Sequence, residues 1–196
     1  MNLPNKLTIL RVILVPIFVV FLMMDITGYD KWIALSIFII ASLTDLLDGK
    51  IARSRNLVTD FGKFADPLAD KILVLTALVC FLQVGLLGSF GAIPVIIVLF
   101  REFAVSGIRL VAASSGKVVA ANIWGKIKTV SQMVGISVIF AMQVVLEVLN
   151  AMKISTDFVS EVFYYIGNGL IWLSTLFTLI SGIIYLKDNI GFLKDN

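Results

Sequence analysis

The 196-residue sequence has no histidine and a single cysteine, Cys80. Without histidine, imidazole can serve neither as a general base nor as a metal ligand. One thiol supplies neither an intrachain disulfide nor a thiolate metal cluster. Charge is scarce as well: Asp, Glu, Lys and Arg make up 15% of the chain, against about 25% in a soluble globular domain. Hydrophobic residues make up 59%, and the mean hydropathy is +1.02. These values exclude a water-soluble domain and a disordered chain, and they leave any chemistry to Asp, Glu, Lys, Arg or Tyr. The few charged residues are therefore the informative ones.

Apolar segments run over Leu7–Met24, Trp32–Lys50, Phe64–Leu87, Ala92–Ala113, Ile127–Val148 and Val159–Leu186, separated by short polar or Gly-containing joints. At roughly 20 residues per span, this pattern predicts an all-α integral membrane protein. It would be a single domain over residues 1–196 with six transmembrane helices and a short N-terminal interfacial segment, Met1–Lys6. Pro16 interrupts the first segment and no small-x-small cleavage site follows it, so the segment reads as a span rather than a signal peptide. Lys and Arg set the orientation. With a cytoplasmic N terminus, the inner side collects nearly all of them, and the outer side receives Lys31 and Lys153. Both termini are expected in the cytoplasm. The net charge of +3 then follows from topology. Nucleic acid is not an expected partner, because the basic residues are scattered without an aromatic stacking surface.

Four carboxylates stand where they are costly. Asp45 and Asp48 lie in the second span, and Asp66 and Asp70 in the third; one carboxylate near a helix centre costs about 2.5–3.5 kcal/mol on the insertion scale. Spacings of three and four residues put each pair on one helical face. Counting inward from the polar joint Ser54–Phe61 at about 1.5 Å per residue, Asp48 and Asp66 lie about 6–8 Å deep, and Asp45 and Asp70 about 12 Å deep. Two stripes at matched depth repel unless neutralised. Lys50, Lys63 or Lys71 would offset part of that charge, whereas divalent cations would offset all of it. An all-oxygen donor set favours Mg²⁺ or Mn²⁺, and two ions bridged by carboxylates suit in-line phosphoryl displacement. Gly49, Ala52 and Gly62 leave room for a ligand or a close backbone. Arg53, which alone would read as a positive-inside residue, offers a guanidinium fork for phosphate. Together these residues point to a polyphosphate substrate.

The run Asp45-x-x-Asp48-Gly49-x-x-Ala52-Arg53, eight further residues, then Gly62-x-x-x-Asp66-x-x-x-Asp70 resembles the signature of the CDP-alcohol phosphatidyltransferase family at every motif position. The resemblance implies a six-helix membrane fold and a homodimer in the bacterial cytoplasmic membrane, with its site toward the cytoplasm. The implied reaction is attack of an alcohol hydroxyl on the lipid-bearing phosphorus of CDP-diacylglycerol, with release of CMP. Carried over by position, Asp45, Asp48, Asp66 and Asp70 hold the metal, Asp70 is also the general base, and Gly49, Ala52, Arg53 and Gly62 contact the CDP moiety.

Further stretches, from Asn2 to Arg11, Gly62 to Lys71, Arg101 to Arg109 and Ala112 to Lys117, are similar to bacterial members of the family that use sn-glycerol 3-phosphate through its 1-hydroxyl. The phosphate of that acceptor needs cations, and the expected set is Arg101, Arg109, Lys117 and Lys126, with Lys128 nearby and Thr8 and Arg11 from the first helix. Arg101 interrupts an apolar helix, so it is expected either to pair with Glu102 or to face a polar cavity. Snorkelling accounts for Arg11 equally well. Two alternatives stand beside this reading. One is the same chemistry with another acceptor, as in cardiolipin-type or phosphatidylserine synthesis. The other is a divalent-cation transporter, which would need its acids near the midplane with access from both faces.

Overall fold

The computed structural model describes the backbone of residues 3–24, 26–55, 60–114 and 123–189, and side chains over 5–24, 26–44, 68–69, 71–112 and 123–189. Within these residues the chain forms six α-helices: α1 Leu3–Met23, α2 Asp30–Arg55, α3 Asp60–Gln83, α4 Ala92–Ser114, α5 Ile123–Ala151 and α6 Asp157–Asn189. Each predicted apolar segment has its own helix, and the helices extend beyond it at most ends; the exceptions are Met24, which follows α1, and residues 84–87, which form a turn after α3 instead of its last residues. Of the interfacial segment expected at Met1–Lys6, Met1 and Asn2 lie outside the described residues. From Leu3 onward those residues belong to α1, with Pro4 in the first turn, where its missing N–H leaves no helical bond unmade.

Six spans were expected, and among the described residues three helices are long and apolar enough to cross a membrane: Asn5–Met23 of α1, α5 and α6. In α4, Arg101, Glu102 and Arg109 interrupt the apolar run. Even so, α4 presents Phe100, Phe103 and Leu110 outward at 70–74% exposure, which suits hydrocarbon rather than water.

The bundle consists of two groups of three helices. α1 packs against both α2 and α3, and α6 packs against both α4 and α5; α2 against α5, and α3 against α4 and α5, join the groups. Four phenylalanines lock the centre, one each from α1, α2, α3 and α5. Phe140 is 5.5 Å from Phe18, 5.7 Å from Phe38 and 4.8 Å from Phe81 between ring centroids, and all four rings are fully buried.

The joint between α1 and α2 is held by a buried carboxylate. Asp30 Oδ2 accepts hydrogen bonds from the backbone N–H groups of Ile26, Thr27 and Gly28 at 2.9–3.0 Å, and Oδ1 accepts one from the Thr27 hydroxyl at 3.2 Å. Gly28, at φ +75°, supplies the left-handed step that turns successive N–H groups toward one anion. Burial works to raise the Asp30 pKa, but these four donors outweigh it and hold the carboxyl below its ordinary value. This joint lies at the end of the bundle away from Arg55 and Asp60, where the aspartate-bearing segments meet.

Candidate active site

Asp45 and Asp48 lie ten and seven residues before the last residue of α2, and Asp66 and Asp70 six and ten residues after the first residue of α3. At ~1.5 Å per residue, the two pairs therefore stand at similar depth from the ends joined by residues 56–59. The side chains of these four acids, and of Gly49, Ala52, Arg53 and Gly62, lie outside the described residues, so the expected metal and CDP contacts rest on backbone register. Four carboxylates on neighbouring helix ends, with no histidine or cysteine nearby, are a donor set that fits a hard divalent cation.

Immediately beside this register the helices enclose a cavity of about 450 Å³, walled by α3, α4, α5 and α6. That volume lies within the range of small-molecule sites. Its α3 wall begins at Lys71, the residue after Asp70, and continues through Val74 and Leu75 on the same face. Among the described residues cations dominate the lining, with Lys71, Arg101, Arg109, Lys126 and Lys128 against one carboxylate, Glu102.

Hydrogen bonds tie Lys71, Arg101 and Lys128 to Glu102, and a separate contact holds Arg109. The Glu102 carboxylate, buried on α4, accepts from Lys128 Nζ at 2.5 Å and from Arg101 Nη1 at 3.1 Å. Lys71 Nζ donates to the Ser106 hydroxyl, which donates in turn to the Glu102 carbonyl at 2.6 Å. Arg101 Nη2 donates to Ser181 Oγ at 2.7 Å. Arg109 Nε donates to the Tyr185 hydroxyl at 3.3 Å, and its guanidinium carbon lies 5.6 Å from the Tyr185 ring centroid, within cation–π range. Among the described residues, one carboxylate faces five cations across this lining, a charge balance that favours a small anion.

Of the residues expected to bind the acceptor phosphate, Arg101, Arg109 and Lys126 line this cavity together. Arg101 does both things expected of it, pairing with Glu102 and facing the pocket. Lys117 lies outside the described residues. Thr8 and Arg11 are placed elsewhere: both are fully buried on α1, which packs against α2 and α3, and neither lines the cavity. Burial removes the snorkelling account of Arg11. Thr8 and Arg11 both lie within the first nine residues of α1, outside the cavity lining. Sequence reading missed Lys71 as a cavity residue, and it missed Gln132, Ser181 and Tyr185 altogether. The signal for the last two was a spacing of polar groups: Thr178, Ser181 and Tyr185 recur at three and four residues in an otherwise apolar helix.

Fold and composition give a helical protein with apolar helices long enough to span a membrane, and a cation-lined cavity begins one residue from the paired-aspartate register. Comparison with known proteins makes this specific. The family model described as CDP-alcohol phosphatidyltransferase matches residues 1–180, and the chain belongs to that family. Among similar proteins, the CDP-diacylglycerol–glycerol-3-phosphate 3-phosphatidyltransferase of Bacillus subtilis is 39% identical, over 98% of this chain and 97% of its own length. The proteins of the same name from Haemophilus influenzae and Rickettsia felis are 36% and 35% identical, covering 100% and 95% of this chain and 97% and 94% of their own.

Proposed function

We propose that the protein transfers the phosphatidyl group of CDP-diacylglycerol to sn-glycerol 3-phosphate, giving phosphatidylglycerophosphate and CMP. The relatives named for this reaction support it over nearly their full length. The observation that carries the acceptor is the cation-lined cavity adjoining Asp70 on α3; a neutral alcohol such as serine or inositol would have no use for five cations.

In this reading Asp70 takes the proton of the acceptor 1-hydroxyl. The oxygen so exposed forms a bond to the lipid-bearing phosphorus, and the bond from that phosphorus to the CMP oxygen breaks, with CMP leaving on the electron pair. Arg101, Arg109 and Lys126 hold the acceptor phosphate and aim its far hydroxyl toward α3, so the reaction gains from orientation as well as charge. Gly49, Ala52 and Gly62 leave space for the CDP moiety, and Arg53 reaches its phosphates. Asp45, Asp48, Asp66 and Asp70 would hold Mg²⁺ or Mn²⁺, as two ions, which when bound neutralises the pyrophosphate and the departing CMP. The acyl chains stay in the bilayer while CDP and the acceptor arrive from water, and the Lys and Arg bias of the joints supports a site at the cytoplasmic face of the cytoplasmic membrane.

An acceptor panel tests the proposal. Purified protein in mixed micelles with CDP-diacylglycerol and Mg²⁺ or Mn²⁺ should release CMP when given glycerol 3-phosphate, and not with serine, inositol or phosphatidylglycerol. Turnover with one of the latter, and none with glycerol 3-phosphate, would overturn the acceptor assignment.

A further inference from the structure

Among the described residues α6 contributes no charged residue to the cavity lining, yet its polar face bears directly on the cavity cations. Ser181 and Tyr185 are buried at 0% and 2% exposure, and Gly182 between them is buried too. Each acts on an arginine. Ser181 Oγ accepts from Arg101 Nη2, and the Tyr185 hydroxyl accepts from Arg109 Nε while its ring lies beside the same guanidinium. Gly182 acts by absence: a Cβ there would come 3.0 Å from Arg101 Cγ, so the stem of Arg101 lies across α6 where a side chain would otherwise stand. Hydrogen bonding and steric room, two independent features, converge on Arg101.

We propose that Ser181, Gly182 and Tyr185 are positioning residues of the acceptor site, fixing the guanidinium groups of Arg101 and Arg109 so that their remaining donors face the anion. The geometry gives each arginine a distinct constraint. Arg109 is held at Nε, which leaves its two terminal nitrogens as a fork for two phosphate oxygens. Arg101 is held at one terminal nitrogen by Ser181 and at the other by Glu102, which fixes the plane of the group. A guanidinium on a flexible stem loses side-chain entropy when it binds; one already fixed loses less, so preorganisation appears in affinity for the anion.

This assignment rests on the acceptor reading above, and its test separates the two. Kinetics with glycerol 3-phosphate and CDP-diacylglycerol should be measured for Ser181→Ala, Gly182→Ala and Tyr185→Phe, with Ser181→Thr as rescue and the outward-facing Leu179→Ala as control. Losing a hydrogen bond to a charged group should raise KM for glycerol 3-phosphate about five- to tenfold, with a smaller effect on kcat and none on KM for CDP-diacylglycerol. Ser181→Thr, which keeps the hydroxyl, should restore most of the loss, and Tyr185→Leu should exceed Tyr185→Phe because the ring is also removed. Binding of glycerol 3-phosphate and of inorganic phosphate, measured calorimetrically in detergent without the lipid substrate, should weaken in the same order. If wild-type protein binds phosphate but does not turn over glycerol 3-phosphate, the acceptor reading fails and the binding order still decides the positioning role. Variants that bind phosphate like wild type, or that raise both KM values equally, overturn it, as does wild-type protein that binds neither anion.

Discussion

Replacing Glu102 with Gln should make the protein less stable and, at the same time, more responsive to phosphate. Glu102 is the single carboxylate among the described residues that line the cavity, and it holds Lys128 at 2.5 Å and Arg101 at 3.1 Å, with side-chain exposures of 8%, 7% and 13%. Removing one member of a buried charged group leaves the others uncompensated and costs about 3–5 kcal/mol. Gln keeps an acceptor oxygen for Lys128 and the cavity admits some water, which reduces the expected loss to about 2–3 kcal/mol, or roughly 4–12 °C in melting temperature. The lone thiol gives a direct assay: Cys80 is buried beside the phenylalanine cluster, so a thiol-reactive dye reports unfolding from one site. Phosphate or glycerol 3-phosphate would restore a negative charge between Arg101 and Lys128, and stabilisation grows with ligand concentration over Kd. The gap between wild type and Glu102→Gln should therefore narrow as the anion is added. A gap that stays constant, or a variant that melts with wild type from the outset, would refute the claim that Glu102 stands where the anion's charge is felt.

Four other outcomes can be checked directly. Asp70→Asn should lower kcat by about a hundredfold to ten-thousandfold, the usual share of a general base, while CDP-diacylglycerol still binds; near-normal turnover would remove Asp70 from that role. Arg109→Ala should raise KM for glycerol 3-phosphate much more than KM for CDP-diacylglycerol, and equal losses would contradict its place in the acceptor pocket. Phe140→Ala removes the ring shared by three aromatic pairs and should destabilise by about 3–5 kcal/mol, read as a lower dye-reported melting temperature with the KM values of the surviving protein unchanged. Because the Asp30 carboxyl is held below its ordinary value, its stabilising effect is present above the normal carboxylate range and is lost as pH falls through the lowered value. A melting series across acidic pH should show that loss in wild type and a flatter profile in Asp30→Asn.

Much of the fold was legible because apolar runs and helices largely coincide when hydrocarbon is the solvent: the six runs fall on α1–α6, with the third passing the end of α3 into the turn at 84–87. The pairing of helices was not legible. Among the described residues α1 packs extensively on both α2 and α3, and Phe18, Phe38 and Phe81 gather around Phe140, contacts that no local pattern encodes. Within the site, the aspartate register and Arg101, Arg109 and Lys126 could be found because charge in an apolar helix demands a reason. Ser181 escaped notice because Ser and Thr hydroxyls in such helices commonly bond to their own backbone, as Ser174, Thr175 and Thr178 do here, and Tyr185 because an aromatic residue in an apolar helix reads as packing; only the third dimension shows which ones meet an arginine. Thr8 and Arg11 look like pocket residues in sequence, being polar, near one end and near the motif in type. Their burial on α1 against α2 and α3 depends on helix packing that no local pattern encodes.

The central claim is that the cation-lined cavity delivers glycerol 3-phosphate to a phosphatidyl donor held by the aspartate register. Its most direct test is a double-label experiment in mixed micelles with Mg²⁺ or Mn²⁺, using glycerol 3-phosphate labelled in its carbon skeleton and CDP-diacylglycerol labelled in cytidine. The account predicts one labelled CMP released to water for each labelled glycerol phosphate entering the lipid phase, with both signals lost together in Asp70→Asn. CMP release that does not depend on glycerol 3-phosphate, or release without label entering lipid, would contradict it.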